Sequence, residues 1–119
     1  MSRPDDVPEG LAPISTHVLD TVTGVPAPDV PVRLDRLDVS GWRQVGAGRT
    51  DADGRLRDWV STRHWTVARY RLVFDLTGHL GGEAFYPEAV VSFRVADARR
   101  HHHLPLLLSP FGYTTYRGS

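Results

Sequence analysis

The sequence contains no cysteine and no lysine. Without cysteine there is no disulfide framework and no thiol nucleophile. Without lysine all fourteen basic residues are arginine, which excludes a Schiff-base mechanism and a phosphate loop of the kind that needs a lysine. An excess of one charge is missing too: fourteen basic and fourteen acidic residues give a formal net charge of zero. Nothing therefore favours nucleic acid or an anionic membrane as a partner. No apolar run is long enough to span a bilayer, and the polar opening from Met1 to Gly10 is unlike a signal peptide. A cytoplasmic location is the expectation.

What the chain does have is 11 glycines and 9 prolines, which fall between short apolar segments. That is the pattern of a turn-rich all-β domain. A length of 119 residues fits one domain with a core of its own. Residues 1–12 read as a flexible tail and 13–119 as the folded domain. Residues 14–19 alternate, with Ile14, Thr16 and Val18 on one side and Ser15, His17 and Leu19 on the other, as a strand does. Val30, Val32 and Leu34 give a second strand, in which Pro31 implies an edge side or a bulge. Further strands are expected over 42–50, 56–59, 67–76 and 89–96. The only helical turn is expected over 60–66, and 77–82 reads as a loop. Leu104 to Leu108 and Tyr113 to Tyr116, joined at Ser109-Pro110-Phe111-Gly112, read as a terminal hairpin. Seven or eight short strands with almost no helix make a two-sheet β-sandwich.

Three groups of residues could carry chemistry. On a strand, His101 and His103 share a face and His102 points away. A His-x-His pair can hold a transition metal, but no third ligand sits at a recognisable spacing. His17, taken alone, is more often structural or exposed than functional, and Arg55, after Asp53-Gly54, is an ordinary surface arginine.

Three stretches together say more. Ser15-Thr16-His17-Val18-Leu19-Asp20-Thr21 with Gly24-Val25-Pro26-Ala27 resembles the opening of the transthyretin-like family. Thr50-Asp51-Ala52-Asp53-Gly54-Arg55 resembles its second motif. His103-Leu104-Pro105-Leu106-Leu107-Leu108-Ser109-Pro110 with Tyr116-Arg117-Gly118-Ser119 resembles its third. The Tyr-Arg-Gly-Ser ending marks the enzymatic branch, the 5-hydroxyisourate hydrolases, and the thyroid-hormone carriers lack it. The resemblance spans residues 13–119, with one departure: His102 stands where relatives often have a residue other than histidine.

The resemblance implies an all-β, transthyretin-like sandwich of about eight strands with one short helix, assembled as a homotetramer, a dimer of dimers. It implies hydrolysis of 5-hydroxyisourate in urate breakdown, with no cofactor and no metal. Carried over by motif, the catalytic set is His17, Arg55, His103 and Ser119, and His17, Arg55 and Tyr116 bind substrate. One of His17 and His103 activates water, with His103 preferred. Arg55 stabilises the oxyanion through its fork of donors, and Arg117 anchors the tail. The alternative is a transthyretin-type protein that binds a small ligand without chemistry. A generic adhesion-type sandwich is a third reading, disfavoured because such domains usually carry an export signal.

Overall fold

A computed structural model of the protein describes residues 10–119. Its strands are β1 (Ile14–Asp20), β2 (Val25–Pro26), β3 (Pro31–Asp38), β4 (Gly41–Arg49), β5 (Arg55–Leu56), β6 (Ala68–Asp75), β7 (Glu88–Val95), β8 (His102–Ser109) and β9 (Gly112–Thr115). They form two sheets, as expected of a transthyretin-like sandwich. One runs β4-β3-β6-β7; the other runs β2-β1-β8-β9, with β5 also paired to β1. The β1–β8 pair is parallel over the whole of β1. The other edge of β1 is shared: β5 takes Thr16 and His17, and β2 takes Leu19 and Asp20.

Strand alternation sorts the residues into core and surface. Ile14, Val18, Leu104, Leu106 and Leu108 from one sheet join Val32, Leu34, Tyr70, Leu72, Phe74, Val91 and Val95 from the other in a single buried cluster. Each large side chain so buried contributes about 1.5–3 kcal/mol. The residues between them, Ser15 and His17 on β1 and His103 on β8, are thereby turned to the outer face. The same alternation sends His102 inward. It is buried, its Nδ1–H donates to the Arg100 carbonyl at 2.7 Å, and its ring stands edge-on to Trp65 with centroids 5.5 Å apart.

Several local expectations are corrected. The loop read over 77–82 contains the one α-helix among the described residues, α1 (Thr77–Leu80). Four residues show no helical period, and one local and one tertiary contact hold this turn. The Asp75 carboxylate accepts from the Thr77 N–H at 3.0 Å, and His79 Nε2 lies 2.7 Å from the buried Asp20 carboxylate. The turn expected over 60–66 is a 3-10 turn at Thr62–His64. The strand expected over 56–59 ends at Leu56, because Asp58 takes a left-handed φ of 56° and breaks the pleat. Pro31 simply begins β3, and the irregularity lies instead between Leu34 and Asp35, against β4. Of the tail read over 1–12, residues 1–9 lie outside those described. Residues 10–12 are seated: Leu11 bridges Ser61, and the Ala12 N–H donates to the Val60 carbonyl at 2.8 Å.

Candidate active site

Two registers assemble the site. The parallel pairing of β1 with β8 sets Ser15 beside His103, and the antiparallel pairing of β1 with β5 sets His17 opposite Arg55. Cross-strand partners project to the same side of a sheet, so these four side chains share the outer face.

Arg55 reaches that position through its turn. The Asp51 carboxylate accepts from the N–H groups of both Asp53 and Arg55 at 2.9 Å. Gly54 is left-handed, with φ 74°, and it packs so tightly on β1 that a Cβ would lie 2.5 Å from the Val18 carbonyl oxygen. Only glycine meets both demands. The Gly54 carbonyl then accepts from the Val18 N–H at 2.8 Å, which locks the turn to β1.

A cleft of about 280 Å³ opens here, lined by Ser15, Arg55, Arg57, His101, His103 and Ser119 among others. His17 stands beside it, and its Nε2–H donates to the Asp53 carbonyl at 2.9 Å. The Ser15 hydroxyl oxygen lies 2.8 Å from His103 Nδ1 and 2.9 Å from His101 Nε2. His103 Nε2 has no hydrogen-bond partner among the described residues. Burial, reinforced by the Arg55 guanidinium and by repulsion from the nearby His101 and His17 rings whenever they are charged, holds the His103 imidazole below its ordinary pKa, and hydrogen bonding at Ser15 opposes this only in part. The ring is therefore neutral at pH 7 and able to accept a proton.

The tail closes one side of the cleft. The Gly118 N–H donates to the His103 carbonyl at 2.8 Å, and Arg117 Nη2 reaches the His101 carbonyl at 3.4 Å. Of the residues named from the sequence, Arg55, His103 and Ser119 line one cleft, with His17 at its border. Tyr116 is not brought in. It is 54% exposed and lines an adjoining apolar depression of about 210 Å³ with Val91, Phe93 and His103, so that His103 borders both hollows. A larger, shallower depression of about 880 Å³ on the other sheet, lined by Arg33, Gln44, Arg49, Asp75 and Glu88 among others, contains no imidazole.

Ser15 is the site residue that sequence reading did not single out. Alternation already put it on the face of His17; its contact with two histidines depends on the β1–β8 register, which no local pattern reveals.

The arrangement offers a neutral imidazole, a guanidinium and a hydroxyl around one small cleft, the groups that general-base attack by water on a carbonyl requires. A protein named 5-hydroxyisourate hydrolase from Salmonella dublin is 39% identical over 109 residues, 89% of this chain and 80% of that protein. One of the same name from Mus musculus is 39% identical over 113 residues, 91% of this chain and 96% of that protein. The crystal structure of transthyretin from Sparus aurata superposes with a TM-score of 0.82 at 32% identity, covering 90% of this chain and 97% of that one. The HIUase/Transthyretin family profile matches residues 14–118, and the chain belongs to that family.

Proposed function

We propose that the protein hydrolyses 5-hydroxyisourate, opening an amide bond of its six-membered ring to give 2-oxo-4-hydroxy-4-carboxy-5-ureidoimidazoline in the degradation of urate. The observation that carries this reading is the convergence of Arg55, His103 and Ser119 on one cleft with His17 facing Arg55. The identity to proteins named for that reaction supports the choice of substrate.

His103 is the base in this reading. Each ring has one nitrogen engaged, His103 Nδ1 by Ser15 and His17 Nε2 by the Asp53 carbonyl, but His103 lines the cleft and His17 does not. Water gives its proton to His103 as its oxygen bonds to the substrate carbonyl carbon. Arg55 binds the oxyanion that forms, where a planar fork of charged donors is worth most. His17 and Ser119 hold the substrate's polar edge, and Tyr116 forms part of the wall behind His103. The proton passes to the leaving nitrogen as the carbon–nitrogen bond breaks, so no cofactor is required.

A homotetramer, as a dimer of dimers, is the assembly we propose. Strands β7 and β9 are each paired on one side only. Phe85, Phe111, Tyr113 and Tyr116 expose apolar surface, and an edge-to-edge dimer would cover both features. Sedimentation equilibrium tests the assembly; a monomer at micromolar concentration overturns it.

The test of the activity is to generate 5-hydroxyisourate from urate in situ and follow its ultraviolet decay with and without the protein. Acceleration over the spontaneous rate is expected. The competing reading, binding of a small ligand without chemistry, draws on the likeness to transthyretin and predicts the spontaneous rate.

A further inference from the structure

Ser15 Oγ lies within hydrogen-bond distance of two imidazole nitrogens, His101 Nε2 and His103 Nδ1. A hydroxyl has one proton to donate. It also has two lone pairs that accept. Among the described residues the Ser15 hydroxyl has no partner besides these two rings, so between two neutral histidines its proton goes to one ring and it accepts an N–H from the other. Two arrangements do this. Either both rings carry their proton on Nε2, or both carry it on Nδ1. In the first, His103 presents an N–H to the cleft and cannot take a proton from water. In the second, His103 Nε2 is bare, Nδ1–H donates to Ser15, and the Ser15 hydroxyl donates to His101 Nε2.

We infer that His101, Ser15 and His103 form a proton relay, in which Ser15 locks His103 in the tautomer that leaves Nε2 open to the cleft and His101 is the outer proton acceptor. The inference rests on the hydrolysis proposed above and extends it to two positioning residues. Its advantage is electrostatic. A positive His103 would be half-buried beside Arg55 and His17, whereas His101 is exposed to water. Arg57 and Asp58 are the remaining charged residues lining the cleft.

The proton balance is closed. As His103 Nε2 takes the water proton, His103 Nδ1–H passes to Ser15 Oγ and the original hydroxyl proton passes to His101 Nε2. His103 is then neutral with its proton on Nε2, and the charge sits on His101. When the carbon–nitrogen bond breaks, His103 Nε2–H protonates the leaving nitrogen. The relay runs back, returning a proton to Nδ1 and leaving His101 neutral. Neither Ser15 nor His101 needs to touch the substrate.

The experiment uses the full chain labelled with ¹⁵N-histidine, at about pH 8, well above the ordinary imidazole value of about 6.5. Ring-nitrogen shifts should place the proton on Nδ1 of both His101 and His103. Ser15→Ala should release both rings into mixed tautomers. It should lower kcat by about ten- to a hundredfold, the lower range for a general base, with KM changed less than about twofold. Ser15→Thr, which keeps the hydroxyl, should restore both readouts. His101→Phe combined with Ser15→Ala should be no worse than Ser15→Ala alone, because the two residues act through one path. A proton on Nε2 of either ring, or tautomers unmoved by Ser15→Ala, overturns the relay. The tautomer measurement needs no substrate, so it is independent of the hydrolysis assay. A wild type that shows the Nδ1 tautomers but fails to hydrolyse 5-hydroxyisourate overturns the proposed function and the relay's catalytic role with it.

Discussion

Gly118 lies against His103 so closely that a Cβ on it would stand 2.6 Å from the imidazole Cδ2 and 3.3 Å from Pro105 Cγ. The backbone contact that brings it there, Gly118 N–H to the His103 carbonyl at 2.8 Å, fixes where the tail crosses β8. The glycine is therefore a requirement of the site, set by close approach. Gly118→Ala must push the ring or lift the tail. A displacement of this size at the proposed base should cost about tenfold or more in kcat/KM. The melting temperature should fall by only a few degrees, because one backbone hydrogen bond contributes about 1 kcal/mol. Normal rates in Gly118→Ala would mean that the tail does not position His103.

Arg55 gives a sharper test of the oxyanion role. Arg55→Lys keeps the charge and loses the planar fork. We expect kcat/KM to fall by about tenfold or more with little change in stability, since the Arg55 side chain is exposed and its turn is held by backbone contacts to Asp51. Steady-state rates on freshly generated substrate decide it, and near-normal kinetics would reduce Arg55 to a surface residue.

The sheets were legible in the sequence because alternation at Ile14, Thr16 and Val18, and again at Tyr70, Leu72 and Phe74, is a local signal of period two. The motif residues were legible one by one. What was hidden was non-local. The parallel β1–β8 register brings Ser15 to His103 across 88 residues, and nothing around Ser15 announces it. Helix α1 was hidden for the same reason: four residues are too few for a period, and it is held by His79 against Asp20 from a distant strand. Tyr116 shows another limit of motif reading. Its place in a motif suggested contact with substrate; just past the end of β9 it lines the depression on the other side of His103, a placement no local pattern reveals.

Two histidines tie both stability and rate to mild acid. Burial lowers the pKa of His102 and His103 below the ordinary 6.5. In that range the unfolded chain binds more protons than the folded one, so stability is full above about pH 6.5 and falls as pH drops toward the folded values. Asp20 and Asp35, whose pKa values are lowered by hydrogen bonds to His79 and to Arg33 and Arg71 against the opposing effect of burial, add a separate loss below their ordinary 3.8. Denaturant titrations across pH should show both steps. His102→Phe keeps an aromatic ring against Trp65 and removes one titrating group, so it should flatten the upper step. An unchanged slope in that variant would show that His102 is not linked to folding.

The tail carries the last prediction. Strand β9 ends at Thr115, which pairs with Leu106 and donates its hydroxyl to the Pro105 carbonyl at 2.8 Å. Ending the chain there leaves the β8–β9 ladder and the core intact. It removes the Gly118 bridge to His103, the Arg117 contact to the His101 carbonyl and Ser119 from the cleft wall. Stability should fall by about 1–2 kcal/mol, the scale of one or two hydrogen bonds. Catalysis should fall by about a hundredfold, the scale of losing positioned polar contacts. A second effect separates the site from the fold. With the tail gone, His103 is less buried, and burial is the largest cause of its lowered pKa. The residual activity should therefore show an acid limb moved upward, toward the unperturbed value of about 6.5. Melting curves, initial rates and the pH–rate profile of the truncated chain are read together. A truncated protein that melts as before, turns over at the full rate and keeps the wild-type acid limb would show that the last four residues take no part in the site.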